Sequence, residues 1–443
     1  MAAPRVAVVG GGLAGLAAAM ELKDAGCRVE LFERSRLLGG RASSFEMDGH
    51  VVDNGQHVYL ACCTEFVRFV ERAGMGDALH LQDRFDVVAY RKGGPGHPEP
   101  VEGRLRAANI PAPLHLLLSF ASYKHLSFAG KLQIARALAT LMLNPRSARD
   151  EMSFDVWLKR HGQGLETIRS FWEPFMVPAL NAPLDRMNAA EAAFVISTAF
   201  LRDSHAARFG YSTVPLAGIM ERAASRLDAV HRPSVVNSMQ ASPEGVVLRS
   251  GDEELRFDAV VLAVPPRALA RLLGDPAAFG VPPLEGYEPF AILDVHLWFE
   301  GPQLPFDFAA ILESPVQWVF QKGPGYLCCS LSAADALVAK PTGDMVARAW
   351  EEIQRALPGL AQARLLRGAA TRVPEGTYLP APGTVRPKAA TSLANVTVAG
   401  AWTDTGWPDT MESAVRSGTA AANELMKGLN IERMRPEGPL AHV

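Results

Sequence analysis

An α/β fold is predicted, a Rossmann-type domain interleaved with a second α+β domain, and three observations predict it. A strand-like run, Arg5–Val9, passes through Gly10-Gly11-Gly12-Leu13-Ala14-Gly15 into helical periodicity and then a second strand-like run, Arg28–Phe32. Short apolar strands return far downstream, at 258–266 and 395–399, so parts of one sheet come from distant stretches of chain. Between them the pattern turns helix-rich over 105–205 and β-rich over 292–332. A chain of 443 residues is also too long for one simple core, which argues for two connected domains.

Taken in order, Leu13, Leu16, Ala17 and Met20 fall on one helical face after the glycines, and Gly26 ends that helix. With the flanking strands this is a βαβ unit. The helix-rich stretch offers Trp157, Trp172 and Phe175 for a core. Strand character returns from Val235, and 258–266 (DAVVLAVPP) reads as a buried strand ended by prolines. Aromatic and β-branched strands are expected at 294–299 and 315–320, a buried strand at 395–399, and a helix from about Thr410. The expected division is 1–104, 209–290 and 386–430 for the Rossmann-type domain, 105–208 for a helical cap, 291–385 for the second sheet, and a loose tail at 431–443.

Composition excludes several classes. Hydrophobic residues make up 48% and charged residues 21%, as in globular proteins, and the net charge is −3 with no Lys/Arg run to track nucleic acid. Five cysteines, Cys27 and the adjacent pairs Cys62-Cys63 and Cys328-Cys329, give neither a disulfide framework nor a metal spacing. Packed thiols in a reducing, cytoplasmic setting are expected, with no metal. Strand begins almost at Met1, so no signal peptide is expected. No window reaches the ~20 apolar residues of a spanning helix. Segment 114–143 comes nearest, but Lys124, Lys131 and Arg136 interrupt it. It reads either as helices packed on the core or as an apolar face that caps a pocket and meets a membrane.

The glycine spacing carries chemistry. Gly10 permits a tight turn, Gly12 lets backbone approach a pyrophosphate, and Gly15 lets helix and strand pack closely. The helix N-terminus supplies free N–H groups and partial positive charge. Glu33 ends the second strand 18 residues after Gly15, where a ribose-binding acid belongs. Dinucleotide binding follows.

Leu38-Gly39-Gly40-Arg41 comes next, then Gly49-x-x-x-Asp53-Asn54-Gly55-Gln56-His57. On these residues the chain resembles the FAD-containing amine oxidase and phytoene desaturase superfamily. The resemblance implies FAD, with Gly10, Gly12, Leu13, Ala14, Gly15, Glu33, Arg34, Gly40 and Arg41 in the binding site and Arg41 at the pyrophosphate. It runs the Gly55-Gln56-His57 backbone beside the flavin ring and holds the adenine against Val236. The string Gly400-Ala401-Trp402-Thr403-Asp404-Thr405-Gly406-Trp407-Pro408-Asp409-Thr410-Met411-Glu412 resembles the superfamily's C-terminal flavin motif. There Gly400, Thr410 and Met411 are implied contacts, and Asp409 with Glu412 fits a capping box. No Cys or His in that string can tether the ring, so FAD is expected to be non-covalent. The superfamily usually has Asp where Ala401 stands, and Asp404 is the nearest substitute.

Longer strings are similar to the hydroxysqualene dehydroxylase family nearly end to end: Cys62-Cys63-Thr64, Pro111-Ala112-Pro113-Leu114-His115, Val295-His296-Leu297-Trp298, Ser314 to Phe320, and Thr405-Gly406-Trp407-Pro408. That resemblance implies reductive removal of the hydroxyl of hydroxysqualene, a C30 isoprenoid, to give squalene in the hopanoid pathway, by an enzyme peripherally associated with a membrane. Acid-assisted loss of water would leave an allylic cation for the flavin to quench. His57 is the candidate proton donor and Asp53 its orienting partner, a pair that meets only if the stretch is helical or turned; otherwise His57 serves through its backbone. Asp404 and Tyr59 are further donors, and Trp298, Trp318, Trp402 and Trp407 candidate aromatic faces for the cation. No second dinucleotide fingerprint identifies the electron donor. The rivals are a carotenoid or phytoene desaturase, an amine oxidase, and a non-catalytic flavin or lipid carrier.

Overall fold

The computed structural model describes residues 3–47, 49–93 and 99–431. Its first sheet runs Ala229–His231, Arg28–Phe32, Arg5–Val9, Ala259–Leu262, Val396–Val398, all parallel. Strands covered on both faces need apolar residues at every position. Val6, Ala7, Val8 and Val9 meet that need, and all are buried. Helices Leu13–Asp24 and Met411–Gly428 cover one face. A Cβ on Gly418 would stand 2.1 Å from the Ala14 carbonyl oxygen, so only glycine lets the two helices touch. An antiparallel three-stranded layer, Val236–Ser242, Gly245–Ser250 and Glu253–Phe257, and helix Pro266–Leu273 cover the other face.

The second sheet has seven strands in the order Arg364–Pro380, Tyr287–Glu300, Tyr326–Leu331, Trp318–Gly323, Phe308–Leu312, Asp86–Arg91, Val101–Arg106. Helix Thr342–Ala356 packs on one face. A helical layer on the other includes Leu117–Ser122, Phe128–Leu143, Phe154–Arg160, Glu173–Leu180 and Ala189–Ile196. The Asp86–Arg91 and Val101–Arg106 hairpin therefore joins this sheet, although residues through 104 were expected with the first domain. The cause is parallel pairing of Val88 with Ala309 and Tyr90 with Ile311, a contact that local periodicity cannot reveal. Expected strand 315–320 begins only at Trp318.

Segment 114–143 divides into a single turn, Leu114–Leu116, a short helix, Leu117–Ser122, and a longer one, Phe128–Leu143, which Ser127 caps by accepting from Gly130 N. Ile134, Ala137 and Leu141 form its buried stripe. Leu117, Leu118, Phe128 and Leu143 remain exposed, Phe128 by 84% and Leu143 by 88%. The expected tail lies outside the described residues beyond Ile431.

Candidate functional site

The glycine loop separates structural glycines from one that no protein contact explains. Gly10 has φ +110°, and a Cβ there would lie 2.2 Å from Ala263 O; one on Gly15 would lie 1.9 Å from Gly10 O. Gly12 has an ordinary φ of −78°, and its Cβ would meet nothing nearer than Gly39 O at 3.8 Å. It is the N-cap of Leu13–Asp24 and offers no side-chain cap, so the first-turn N–H groups face open space. That cradle, which a Cβ would fill, fits a pyrophosphate. Glu33 is buried beside it; one oxygen accepts from Gly11 N at 2.7 Å and the other from Ser35 N at 2.8 Å. A carboxylate has further lone pairs for ribose hydroxyls. Arg34 is exposed. Val236 is buried among Phe32 and Phe257 at the start of its strand.

From this loop a groove runs past Gly12, Leu13, Ala14, Arg41, Gly55, Gln56 and His57 to Gly400, Ala401, Trp402, Thr410 and Met411. Implied cofactor positions from three distant stretches of chain thus meet along one surface, whereas Gly10, Gly15, Glu33, Arg34, Gly40 and Val236 do not line it. Gly40 is fixed alongside by Asn54, whose amide donates to its carbonyl at 3.2 Å. Arg41 lines the groove, but its fork is engaged by Asp409 at 2.6 and 2.9 Å and by Gly376 O at 3.2 Å. Asp409 also accepts from Tyr378 N, so it does not cap the last helix. The capping box is corrected: Thr410 is the N-cap, its hydroxyl accepting from Ser413 N, and Glu412 accepts from Glu65 N and Phe66 N at the start of Thr64–Arg72. Asp404 is exposed and lies off the groove, so it does not stand in for the acid missing at Ala401.

The catalytic pair is also corrected. His57 lines the groove, but its Nδ1 lies 2.7 Å from Gly55 O, so that nitrogen carries the proton. Burial lowers its pKa, leaving a neutral imidazole at neutral pH. Asp53 Oδ1 accepts instead from Ser44 Oγ and Leu216 N, at 2.6 and 3.1 Å. The stretch is a bend, not a helix, and Asp53 does not orient His57. Tyr59 donates to His80 O, and burial pushes its hydroxyl up to about 12.

An apolar cavity opens beside the groove. Gln56, Val58, Pro178, Ile292, Thr410 and Met411 line both. Its walls are Phe175 and Met176 of Glu173–Leu180, Phe194 and Val195 of Ala189–Ile196, Phe200 of the π-helical turn Ser197–Leu201, and Trp318, Phe320 and Trp407. The expectation that 114–143 caps this pocket is corrected, because none of its residues lines it. The cap comes from 173–201, and 114–143 packs outside it. Of the four candidate tryptophans, Trp318 and Trp407 line the cavity and Trp402 lines the groove. Trp298 lies away from both, stacked on Tyr326 at 4.8 Å. All five cysteines are free thiols.

One buried acid beside the site, Asp294, was not singled out from the sequence. It is fully buried in the Tyr287–Glu300 strand, and Oδ2 accepts from Gln56 N at 2.8 Å. Burial pushes its carboxyl up to about 6. The signal was present: an acid inside an otherwise apolar, aromatic strand is costly unless it has a task.

The family model described as flavin containing amine oxidoreductase matches residues 13–426. The chain is 28% identical over 437 residues to a hydroxysqualene dehydroxylase of Rhodopseudomonas palustris, covering 94% of this chain and 97% of that one. It is 25% identical over 485 residues to a probable zeta-carotene desaturase of Synechococcus elongatus, covering 96% and 98%. Among solved structures, a triple mutant of putrescine oxidase superposes with a TM-score of 0.74 at 18% identity, over 96% of this chain and 99% of that one, a likeness of fold.

Proposed function

The chain belongs to the flavin-containing amine oxidoreductase family and is a flavin-dependent oxidoreductase; from that premise we propose that it binds FAD and reductively removes the hydroxyl of hydroxysqualene to give squalene. The observation that carries this reading is the apolar cavity that shares its wall with the flavin groove. A C30 hydrocarbon chain needs such a wall, whereas a polar amine would not.

Gly12 and the Leu13–Asp24 N-terminus would hold the FAD pyrophosphate, Glu33 a ribose, and Gly55, Gln56 and His57 the edge of the ring system. The Met411–Gly428 helix aims its positive end at the groove, which favours negative charge there. When bound and reduced, the flavin supplies a hydride equivalent. The protein's own part is to position the allylic carbon, exclude water and help the hydroxyl depart. Phe175, Trp318 and Trp407 present aromatic faces to positive charge developing on the substrate. Water kept out of the cavity cannot recapture the allylic cation. The product squalene would serve hopanoid-type triterpenoid synthesis.

Exposed Leu117, Leu118, Phe128 and Leu143, with Lys124 and Arg136 nearby in sequence, support peripheral contact with an anionic membrane surface. No helix among the described residues is long and apolar enough to cross a membrane. The test of function is incubation of the reduced holoenzyme with hydroxysqualene and identification of the product. Squalene supports the reading. No squalene, with conversion of phytoene or a carotene in the presence of an electron acceptor, overturns it.

A further inference from the structure

The proposed reaction needs a proton at the substrate oxygen; His57 lines the groove and not the cavity, and Tyr59, although it lines the cavity, has its hydroxyl committed to His80 O. The seven-stranded sheet carries another acid. On its Tyr287–Glu300 strand, Ile292, Asp294 and His296 alternate onto the same face, and Ile292 lines both groove and cavity. Asp294 pairs in register with Ser330 on one side and Thr371 on the other. Directly opposed residues have Cβ atoms about 5 Å apart, so the three polar side chains form a row across three strands. Ser330 lines the apolar cavity. Asp294 stands behind it, fully buried, with Oδ2 on the Gln56 amide and Oδ1 without any partner. On the far side, His296 lies 2.9 Å from the Tyr326 hydroxyl and 3.4 Å from Thr371 Oγ1. His296 and Tyr326 line a second, polar cavity, which also reaches Gly55 and Gln56.

We infer that the Asp294 carboxyl, acting through the Ser330 hydroxyl, is the proton source for departure of the substrate hydroxyl, and that the polar cavity reloads it. This rests on the dehydroxylation reading. Ser330 is the group that meets the substrate; Asp294, which works through it, is a positioning residue and proton store. The step balances. Ser330 donates its proton to the substrate oxygen and takes one from Asp294, the C–O bond breaks, and oxygen leaves as water. The allylic carbon would take the hydride equivalent that a bound, reduced flavin supplies, the two electrons coming from that flavin. Asp294, now a carboxylate, takes a new proton from the side of His296 and Tyr326.

The electrostatics agree. Burial raises the Asp294 carboxyl to about 6, against the opposing pull of Ser330, the Gln56 amide and Lys322 of the Trp318–Gly323 strand. Asp53 of His50–Asp53 raises it further. Burial lowers His296 on the same strand to about 4, so it stays neutral, as does the buried Cys328 thiol facing the carboxyl from Tyr326–Leu331. His57, beside Gly55, is neutral too. A buried acid without a full counter-charge can therefore hold its proton at mildly acidic pH.

The experiment compares holoenzyme, Asp294→Asn, Ser330→Ala and Ser330→Thr. Flavin is reduced, hydroxysqualene is added in detergent, and reoxidation is followed by absorbance in single turnovers across pH 5–8. For the parent the rate should be highest below about 6 and fall as pH rises and Asp294 loses its proton. Asn keeps an acceptor for the Gln56 amide, so flavin content should hold while the rate falls roughly a hundredfold or more and loses its pH dependence. Ser330→Ala should slow the step and Ser330→Thr restore it. A readout free of turnover is the Asp294 component of the carboxylic-acid carbonyl band in infrared difference spectra, present at acidic pH in the parent and lost in Asp294→Asn. An active parent whose Asn variant keeps both rate and pH profile, or a parent without that band, overturns the proton source alone. A parent that hydroxysqualene does not reoxidise overturns the function as well.

Discussion

At the scale of a residue, Gly12 and Gly15 make the sharpest contrast. Both belong to the same fingerprint, yet only Gly15 is demanded by the protein. Its missing Cβ would overlap Gly10 O at 1.9 Å, whereas a Cβ on Gly12 would enter free space. Gly15→Ala should therefore destabilise the fold, lowering Tm, while Gly12→Ala should leave Tm of the apo-protein near the parent value and abolish flavin retention. Purified protein read for absorbance and melting separates the two; flavin retained by Gly12→Ala would remove the pyrophosphate from that cradle. Glu33 makes a second case. Its carboxylate orders the loop through Gly11 and Ser35 and keeps acceptor capacity for a ribose. Glu33→Ala should weaken FAD binding by about 1–3 kcal/mol, the range for losing a charged hydrogen-bond partner. Titration of the apo-protein checks it, and unchanged affinity removes Glu33 from the ribose site.

At the scale of an element, local patterns were legible and cross-chain contacts were not. Strand, glycine turn, helix and strand follow one another within 5–32, so periodicity and turn chemistry find them directly. The D-x-x-E at 409–412 shows the limit. Its spacing satisfies a capping box, but Asp409 is claimed by Arg41, 368 residues away in sequence, and Glu412 by the start of another helix. Thr410, the next residue, takes the cap. Thr410→Ala should cost about 1 kcal/mol of stability, the usual loss for an N-cap, and Thr410→Ser should recover most of it. Denaturant melts of the apo-protein measure both. Equal stability of Ala and parent would return the capping role to Asp409. The hidden acid obeys the same limit. Asp294 stood in view within its strand, but its neighbours come from three other segments: sheet register brings Ser330 and Thr371, and a backbone hydrogen bond brings Gln56.

At the scale of the whole molecule, the two sheets divide the work. The parallel sheet and its two touching helices build the groove proposed for the flavin, the seven-stranded sheet floors the apolar cavity, and 173–201 roofs it. The presence of two kinds of strand, short apolar runs and longer aromatic ones, was legible in the sequence, while the place of the Asp86–Arg106 hairpin was not, because its pairing with Phe308–Leu312 is a long-range contact. The role of 114–143 was not, since an apolar helix reads alike whether it faces core, pocket or lipid. Its buried stripe is narrow, Ile134, Ala137 and Leu141, while Leu117 is 54% and Leu118 71% exposed. Water is a poor solvent for so much exposed leucine and phenylalanine on neighbouring helices, and the proposed C30 substrate would reside in lipid. The proposed docking would use this layer, with Lys124 and Arg136 toward anionic headgroups. Leu117→Asp with Leu118→Asp should reduce binding to anionic liposomes and slow turnover of lipid-embedded substrate. Flavin content and turnover of detergent-dispersed substrate should hold, because these residues line neither groove nor cavity. Cosedimentation with vesicles at low and high salt measures it. A parent protein that ignores anionic vesicles at low salt would leave the layer as packing and the substrate to arrive by another face.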